Sequence, residues 1–391
     1  MKEIFISHPL RTAIGKYGGS LKDIPAPFLA GYVIKEIINR TKIDPEIFDD
    51  VIIGNVILAG EKMNPARQAE IYGGISKKVP AMTVNRVCGS GLQAIISGVM
   101  EIESGYSKVV LSGGMENMDM APYLVMKGRW GYRMGDGTLY DSMLYDGLND
   151  AFVDKHSGWI TEEYLVPEYK ITREEQDEFA FLSQKKASKA MEQGFFKEQI
   201  VPVSISEGKI FDFDESIRSD TTIEKLSKLK PAFKQNGTIT AGNAPGLNSG
   251  AGCMIVSTED VLKKFNIEPM AKIVSYGISA VDPNYFGIAP VYAIRKALER
   301  ANLKIQDIDL FEINEAFAAI AIAIKKDLSI PDEKLNVNGG AIALGHPIGA
   351  TGAILVVKLI HELRRRKARY GIASLCIGGG QGIALLVENI L

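Results

Sequence analysis

Two stretches of this chain repeat one another, and a duplicated unit constrains the fold more than any single motif does. Near the start, Ile43-Asp44-Pro45-Glu46 leads through Asp49-Asp50 into the apolar Val51-Ile52-Ile53 and then Gly54-Asn55. Near the end, Ile305-Gln306-Asp307 leads through Ile308-Asp309 into Leu310-Phe311-Glu312-Ile313 and then Asn314. Cys88 follows Asn55 by 33 positions, and His346 follows Asn314 by 32. Beyond Cys88 come Gly89-Ser90-Gly91, an apolar helical stretch from Leu92 to Ile102, the strand-like Val109-Val110-Leu111 and Gly113-Gly114. Beyond His346 come Gly349-Ala350-Thr351-Gly352, a helical stretch from Ala353 to Leu363, Ile372-Ala373-Ser374-Leu375 and Gly378-Gly379-Gly380. Each half reads as strand, glycine turn, buried helix, strand, glycine turn, an order that suits a sheet covered by helices on both faces.

From about 118 to 243 the texture changes and no clean period survives, so this stretch reads as an insertion. Inside it Thr172 and Glu175 form a capping-box pattern that opens a helix running through Gln184 towards Met191. A long insertion over one face of a doubled scaffold commonly builds a binding site.

At 391 residues the chain exceeds one ordinary core. Its 45 Lys and Arg against 47 Asp and Glu provide no overall field to recruit nucleic acid or an anionic membrane. The uncharged run Ala316 to Ile324 is far short of the roughly 20 residues a membrane span needs, and reads as a buried helix. Three cysteines, Cys88, Cys253 and Cys376, are too few and odd in number for a disulfide framework, and neither end carries a secretory or peroxisomal signal pattern. A reducing, cytoplasmic setting is expected.

Cys88, in Asn85-Arg86-Val87-Cys88-Gly89-Ser90-Gly91, falls where a helix begins, a position that stabilises a thiolate. A small buried residue in a tight turn explains it equally well. His346, among the glycines of Asn338-Gly339-Gly340-Ala341-Ile342-Ala343-Leu344-Gly345-His346-Pro347, reads as a base or as a capping histidine. Cys376 opens Cys376-Ile377-Gly378-Gly379-Gly380, whose unshielded amides suit an oxyanion site or a plain turn between strands. Cys253 reads as core filling. Gly89-Ser90-Gly91-Leu92-Gln93-Ala94 also fits a dinucleotide fingerprint, but that fingerprint belongs to the first strand-helix turn of its domain, and earlier strands precede Cys88. No Cys-x-x-Cys pair exists to seed a zinc site, so no metal is expected.

Taken in order, Arg11-Thr12-Ala13-Ile14-Gly15-Lys16, the Cys88 motif, Gly113-Gly114-Met115-Glu116, Ala241-Gly242-Asn243, Asn314-Glu315-Ala316-Phe317-Ala318, the His346 motif and the Cys376 motif resemble the thiolases, and within them the acetyl-CoA acetyltransferases. The resemblance covers essentially the whole chain. It implies a duplicated α-β-α-β-α layered α/β fold with an inserted loop domain: residues 1–117 with about 244–268 as the first half, about 118–243 as the coenzyme A-binding loop domain, and 269–391 as the second half. It implies that Cys88 becomes acylated, that His346 activates it, and that Cys376 moves the proton at the second substrate's α-carbon. Asn314 would hold a water at the enolate oxygen, and the amides of Cys88 and Gly378 would hold the tetrahedral intermediate. His156, Arg218, Ala244, Pro245 and Phe317 would contact coenzyme A, which is substrate and not a permanently bound cofactor. The partners implied are acyl-CoA substrates and further copies of the chain, as homodimers or homotetramers. Ser157 in place of Met, Phe286 in place of Met, Pro245 in place of Ser, and one extra residue between His156 and Glu163 depart from the acetoacetyl type and leave the acyl-chain preference open.

Overall fold

The computed structural model describes residues 2–390. Nine main strands form one mixed sheet: β1 (Ile4–Thr12), β2 (Asp50–Gly54), β3 (Ala81–Val84), β4 (Val109–Asn117), β5 (Asn248–Thr258), β6 (Ala271–Ala280), β7 (Leu310–Ile313), β8 (Tyr370–Ile377) and β9 (Gln381–Asn389). Their spatial order is β7-β8-β9-β6-β1-β5-β4-β2-β3. The duplication is visible in that order. β1 and β6 meet antiparallel at the centre, Phe5 opposite Lys272. Outward from β1 run antiparallel β5, antiparallel β4, then parallel β2 and β3. Outward from β6 run antiparallel β9, antiparallel β8, then parallel β7, with a parallel bridge from Phe311 to Leu335 where the first half has β3.

The six longest helices among the described residues are α1 (Ala26–Thr41), α2 (Ser90–Ser104), α3 (Arg173–Glu192), α4 (Ala289–Ala301), α5 (Ala318–Leu328) and α6 (Thr351–Arg366), of which α1, α2, α4 and α6 pack on this sheet. α1 covers β1, β4 and β5 on one side, and α4 covers β6, β8 and β9 on the other. α2 and α6 lie between the two halves and pack on each other, which is why their sequences lack a polar face over most of their length. Their crossing is set by glycine. A Cβ on Gly352 would stand 2.3 Å from the Leu92 nitrogen, and one on Gly91 would stand 2.8 Å from that of Ala353. Around the crossing Leu92, Ile95, Ile96, Val356, Leu359 and Ile360 are buried together, each Ile or Leu contributing about 1.5–3 kcal/mol.

The chain from 118 to 247, which contains the stretch expected as an insertion, connects β4 to β5, where the second half has only the tight Gly378–Gly380 turn between β8 and β9. Its expected helix is α3, and the capping box is made: Thr172 Oγ1 accepts from the Glu175 amide at 3.2 Å, and Glu175 Oε2 accepts from the Thr172 amide at 2.8 Å. Elsewhere the insertion is short strand pairs and π-helical turns, Met143–Leu148 and Thr161–Leu165 among them, which no simple period announces. It is tied to the first half by Arg11, fully buried, which grips Asp214 with two hydrogen bonds of 2.7 and 2.9 Å. Cys253 lies in the core, its sulfur against Gly113.

Candidate active site

The β3–α2 connection carries Cys88 and is under strain. Val87, a β-branched residue, sits at φ 46° in the left-handed region, at a cost of order 1–3 kcal/mol. The strain is held by local bonds: the Val87 amide donates to Asn85 Oδ1 at 2.9 Å, while Ser90 Oγ accepts from the Arg86 amide at 2.8 Å and donates to the Val87 carbonyl at 2.6 Å. Cys88 thereby sits just before the first turn of α2. The backbone amide of Gly378, from the β8–β9 turn, donates to its sulfur.

The expectation that the helix start would stabilise a thiolate is outweighed. Cys88 has accessible surface where a cavity reaches it, but protein atoms enclose the rest, and burial pushes its thiol up to about 11 against the pull of the Gly378 amide and its own. Cys376, at the end of β8 opposite Gly382, is more deeply buried, and burial with the nearby Cys88 charge raises its thiol further.

His346 follows a short helix, Ala341–Leu344, and its backbone amide donates to Asn248 Oδ1 at 2.9 Å. Nδ1 lies 2.7 Å from Thr351 Oγ1. That hydroxyl spends its own proton on the Pro347 carbonyl at 2.8 Å, so it receives the Nδ1 proton and Nε2 is left bare. Burial lowers the imidazole to about 4, which keeps it neutral. Asn314, just beyond β7, places Nδ2 3.3 Å from Nε2, and its buried Oδ1 has no hydrogen-bond partner among the described residues.

Cys88, His346, Cys376 and Gly378 share one cavity of about 860 Å³. His156, Ala244, Pro245 and Phe317 line it too, with Ser157, Phe286, Met118, Leu148 and Ile348. His156 Nδ1 accepts from the Gly158 amide at 2.9 Å, and its ring stacks on Phe233 with centroids 4.5 Å apart. Burial lowers this imidazole to about 4 as well, so a neutral ring keeps its proton on Nε2, a donor. Arg218 does not line the cavity. It is exposed, its backbone amide donating to Gln184 Oε1 at 2.7 Å. Among the described residues no group of three or more His, Cys, Asp or Glu is placed to hold a metal ion.

The sequence reading missed the carboxylates that hold the site's loops. Glu116, fully buried at the end of β4, accepts from Asn55 Nδ2 and from the amides of Val56, Ile57 and Gly349, at 2.9–3.3 Å. It thus joins the Asn55 loop to the loop after His346, and burial raises it to about 7. Glu315 accepts from Ser183 Oγ, Asn336 Nδ2 and the Ile342 amide. An acidic residue closing an apolar strand, as in Gly113-Gly114-Met115-Glu116, is the signal that marks the first of these.

What this fold and these side chains define is an acyltransferase. The chain belongs to the thiolase family: residues 4–260 match the thiolase N-terminal domain and residues 267–389 the thiolase C-terminal domain. A probable acetyl-CoA acyltransferase of Staphylococcus epidermidis is 52% identical over 393 residues, covering 100% of this chain and 99% of the relative. A protein of the same description from Staphylococcus aureus is 50% identical, with 100% of both chains covered. The crystal structure of the Bacillus anthracis acetyl-CoA acetyltransferase superposes with a TM-score of 0.97 at 44% identity, covering 100% of this chain and 99% of that one. Human mitochondrial 3-ketoacyl-CoA thiolase in complex with CoA superposes with a TM-score of 0.96 at 43% identity, covering 100% and 98%.

Proposed function

We propose that this thiolase is an acetyl-CoA C-acetyltransferase, converting two acetyl-CoA into acetoacetyl-CoA and coenzyme A through an acetyl group held on Cys88, reversibly. The observation that carries the reading is the meeting of Cys88, His346 and Cys376 on one cavity, with the Gly378 amide on the Cys88 sulfur. His346, neutral with Nε2 bare, takes the Cys88 proton as the sulfur attacks the thioester carbonyl, and the amides of Cys88 and Gly378 hold the tetrahedral oxyanion. Coenzyme A leaves with the proton of Cys376. The Cys376 thiolate, made strongly basic by burial, then removes the α-proton of a second acetyl-CoA. The enolate oxygen is met by the proton now on His346 Nε2 and by a water held at Asn314. The enolate carbon attacks acetyl-Cys88, and the departing sulfur recovers its proton from His346.

His156, Ala244, Pro245 and Phe317 are read as the wall for the pantetheine arm, and the exposed Arg218 as a contact for the cofactor's anionic end. The boundaries near 118, 243 and 269 are proposed as those of the coenzyme A-binding insertion and the two halves. Oligomers of two or four chains are proposed, supported by the half-exposed free-edge strand β3 that leads into Cys88. No helix among the described residues is long and apolar enough to cross a membrane. A cytoplasmic, reducing setting is the one in which a working Cys88 stays a thiol.

A second reading, cleavage of longer 3-oxoacyl-CoA, is favoured by the predominantly apolar cavity, where Met118, Leu148 and Ile348 cluster with Cys88, and Phe286, from the cluster that holds Cys376, lines the same space. Comparing kcat/KM for thiolysis of acetoacetyl-CoA and 3-oxooctanoyl-CoA decides between them. Preference for the shorter substrate is expected, and a tenfold preference for the longer one replaces the first reading with the second.

The pH dependence follows from the two burial shifts. His346 stays an unprotonated base at any pH above about 4, so kcat/KM is expected to lack the acid limb near pH 6.5 that an ordinary imidazole would impose. Alkylation of Cys88 by iodoacetamide is expected to climb with pH towards about 11 as thiolate forms. A plateau near neutrality would show a pre-formed thiolate-imidazolium pair instead.

A further inference from the structure

Lys358 is 3% exposed, deep inside the molecule on α6, with its ammonium held at two points. It donates to Glu312 Oε2 at 2.7 Å and to the Gly339 carbonyl at 2.8 Å. Glu312 is in β7, two residues before Asn314. Gly339 begins the loop that runs through Ala341–Leu344 to His346. One buried side chain therefore ties the strand that presents Asn314 to the loop that presents His346. Thr351, which receives the Nδ1 proton of His346, lies on the same helix seven residues earlier, two turns up the same face. α6 thus orients the imidazole from Thr351 and braces its two supports from Lys358.

Burying an ion pair strips both charges of water, and such pairs are often no more stabilising than well-packed apolar side chains. What this pair adds is geometry. Glu312 is pushed up by burial, to which the nearby carboxylates Glu315 and Glu362 add, and Lys358 pulls against that rise. The far side of the loop is braced separately, the Gly340 amide donating to Ser183 Oγ at 3.0 Å, which in turn donates to Glu315.

We propose that Lys358, with Glu312, is a positioning residue that sets the spacing between Asn314 and His346, and so tunes the enolate step more than acylation. The proposal rests on the functional reading above. Acylation uses Cys88 and His346, whose ring and backbone remain held by Thr351 and Asn248 without Lys358. Only the enolate step needs Asn314 and His346 on one oxygen.

The test is the full-length enzyme with Lys358→Met and Glu312→Gln together, which removes both charges and leaves neither stranded. Three quantities are read: the rate of acetyl-Cys88 formation, the exchange of acetyl-CoA α-protons for deuterium, and the 15N shifts of the His346 imidazole. Exchange and condensation are expected to fall about 10–100-fold, with acetyl-Cys88 formation within about threefold of wild type and the imidazole shifts displaced. Equal loss in both half-reactions, no loss in either, or unmoved imidazole shifts overturn the positioning role. Should the double variant not fold, Glu312→Gln alone, which keeps the Lys358 bond to Gly339, is read in the same way. A wild-type enzyme that neither acetylates Cys88 nor exchanges α-protons defeats the functional reading instead, while the imidazole shifts still judge the positioning.

Discussion

Cys88→Ala is expected to abolish acetyl transfer, lowering turnover by on the order of 10⁵–10⁶-fold, the loss typical of removing a nucleophile whose base and oxyanion donors then have nothing to act on. In free energy that is about 7–8 kcal/mol of barrier, beyond what any cavity contact elsewhere in the site could account for. The fold should survive, because the side chain faces the cavity and the Gly378 amide that loses its partner is half-buried and lines the same cavity; the change in stability is expected to stay within about 1 kcal/mol. Intact-mass analysis after mixing with acetyl-CoA should lose the acetyl adduct completely. Cys253→Ala is the matched control, since that sulfur packs in the core against Gly113 and has no route to the cavity. An adduct that persists in Cys88→Ala, or turnover reduced by less than about tenfold, would remove Cys88 from the centre of the reaction.

The placement of Cys88 also shows what a sequence of this kind conveys and what it withholds. The duplication was legible because a strand end, a glycine turn and a buried helix each leave a local signature, and the nearly equal spacings from Asn55 to Cys88 and from Asn314 to His346 are consequences of the strand order that both halves share. The capping box at Thr172 was legible for the same reason, since its two bonds lie within three residues. Glu116, Asn248, Thr351 and Lys358 were not recognised as parts of the site. Three of the four act on partners distant in sequence: Glu116 reaches Gly349, Asn248 reaches His346, and Lys358 reaches Glu312. Thr351 is a near neighbour of His346, yet its use as an acceptor depends on the Pro347 carbonyl taking its proton, a detail of three-dimensional geometry. The upward push on the Cys88 thiol was hidden on the same ground. A helix start can be read from residues, whereas the enclosure that pushes Cys88 up to about 11 comes from chain far away.

The duplicated scaffold explains why the site is asymmetric. Equivalent turns of the two halves supply a sulfur and an imidazole, and the glycine crossing of α2 with α6 brings the starts of those helices close. The β8–β9 turn is tight enough to offer the Gly378 amide to Cys88. Its counterpart is the long stretch of chain between β4 and β5, which supplies His156, Ala244 and Pro245 to the cavity wall. One scaffold, used twice, thus separates the reacting groups from the surface that would hold the carrier.

Cys376→Ala is expected to divide the reaction rather than end it. With Cys88, His346 and the Gly378 amide intact, acetyl-CoA should still acetylate Cys88, since a coenzyme A thiolate leaves readily with a thiol pKa near ~8.5 and water can supply its proton. Condensation has no such alternative: the α-proton needs a base fixed beside it, and general acid–base catalysis of this kind is worth about 10²–10⁴-fold. The variant should therefore accumulate acetyl-Cys88, visible by mass, while acetoacetyl-CoA formation and α-proton exchange both fall by about that factor. The ladder between Cys376 and Gly382 fixes the backbone here, so the loss should reflect the missing sulfur and not a displaced strand. Condensation at the wild-type rate would show that some other group takes the proton. Failure to acetylate Cys88 at all would show that Cys376 is required to expel the first coenzyme A, and that the two half-reactions share it equally.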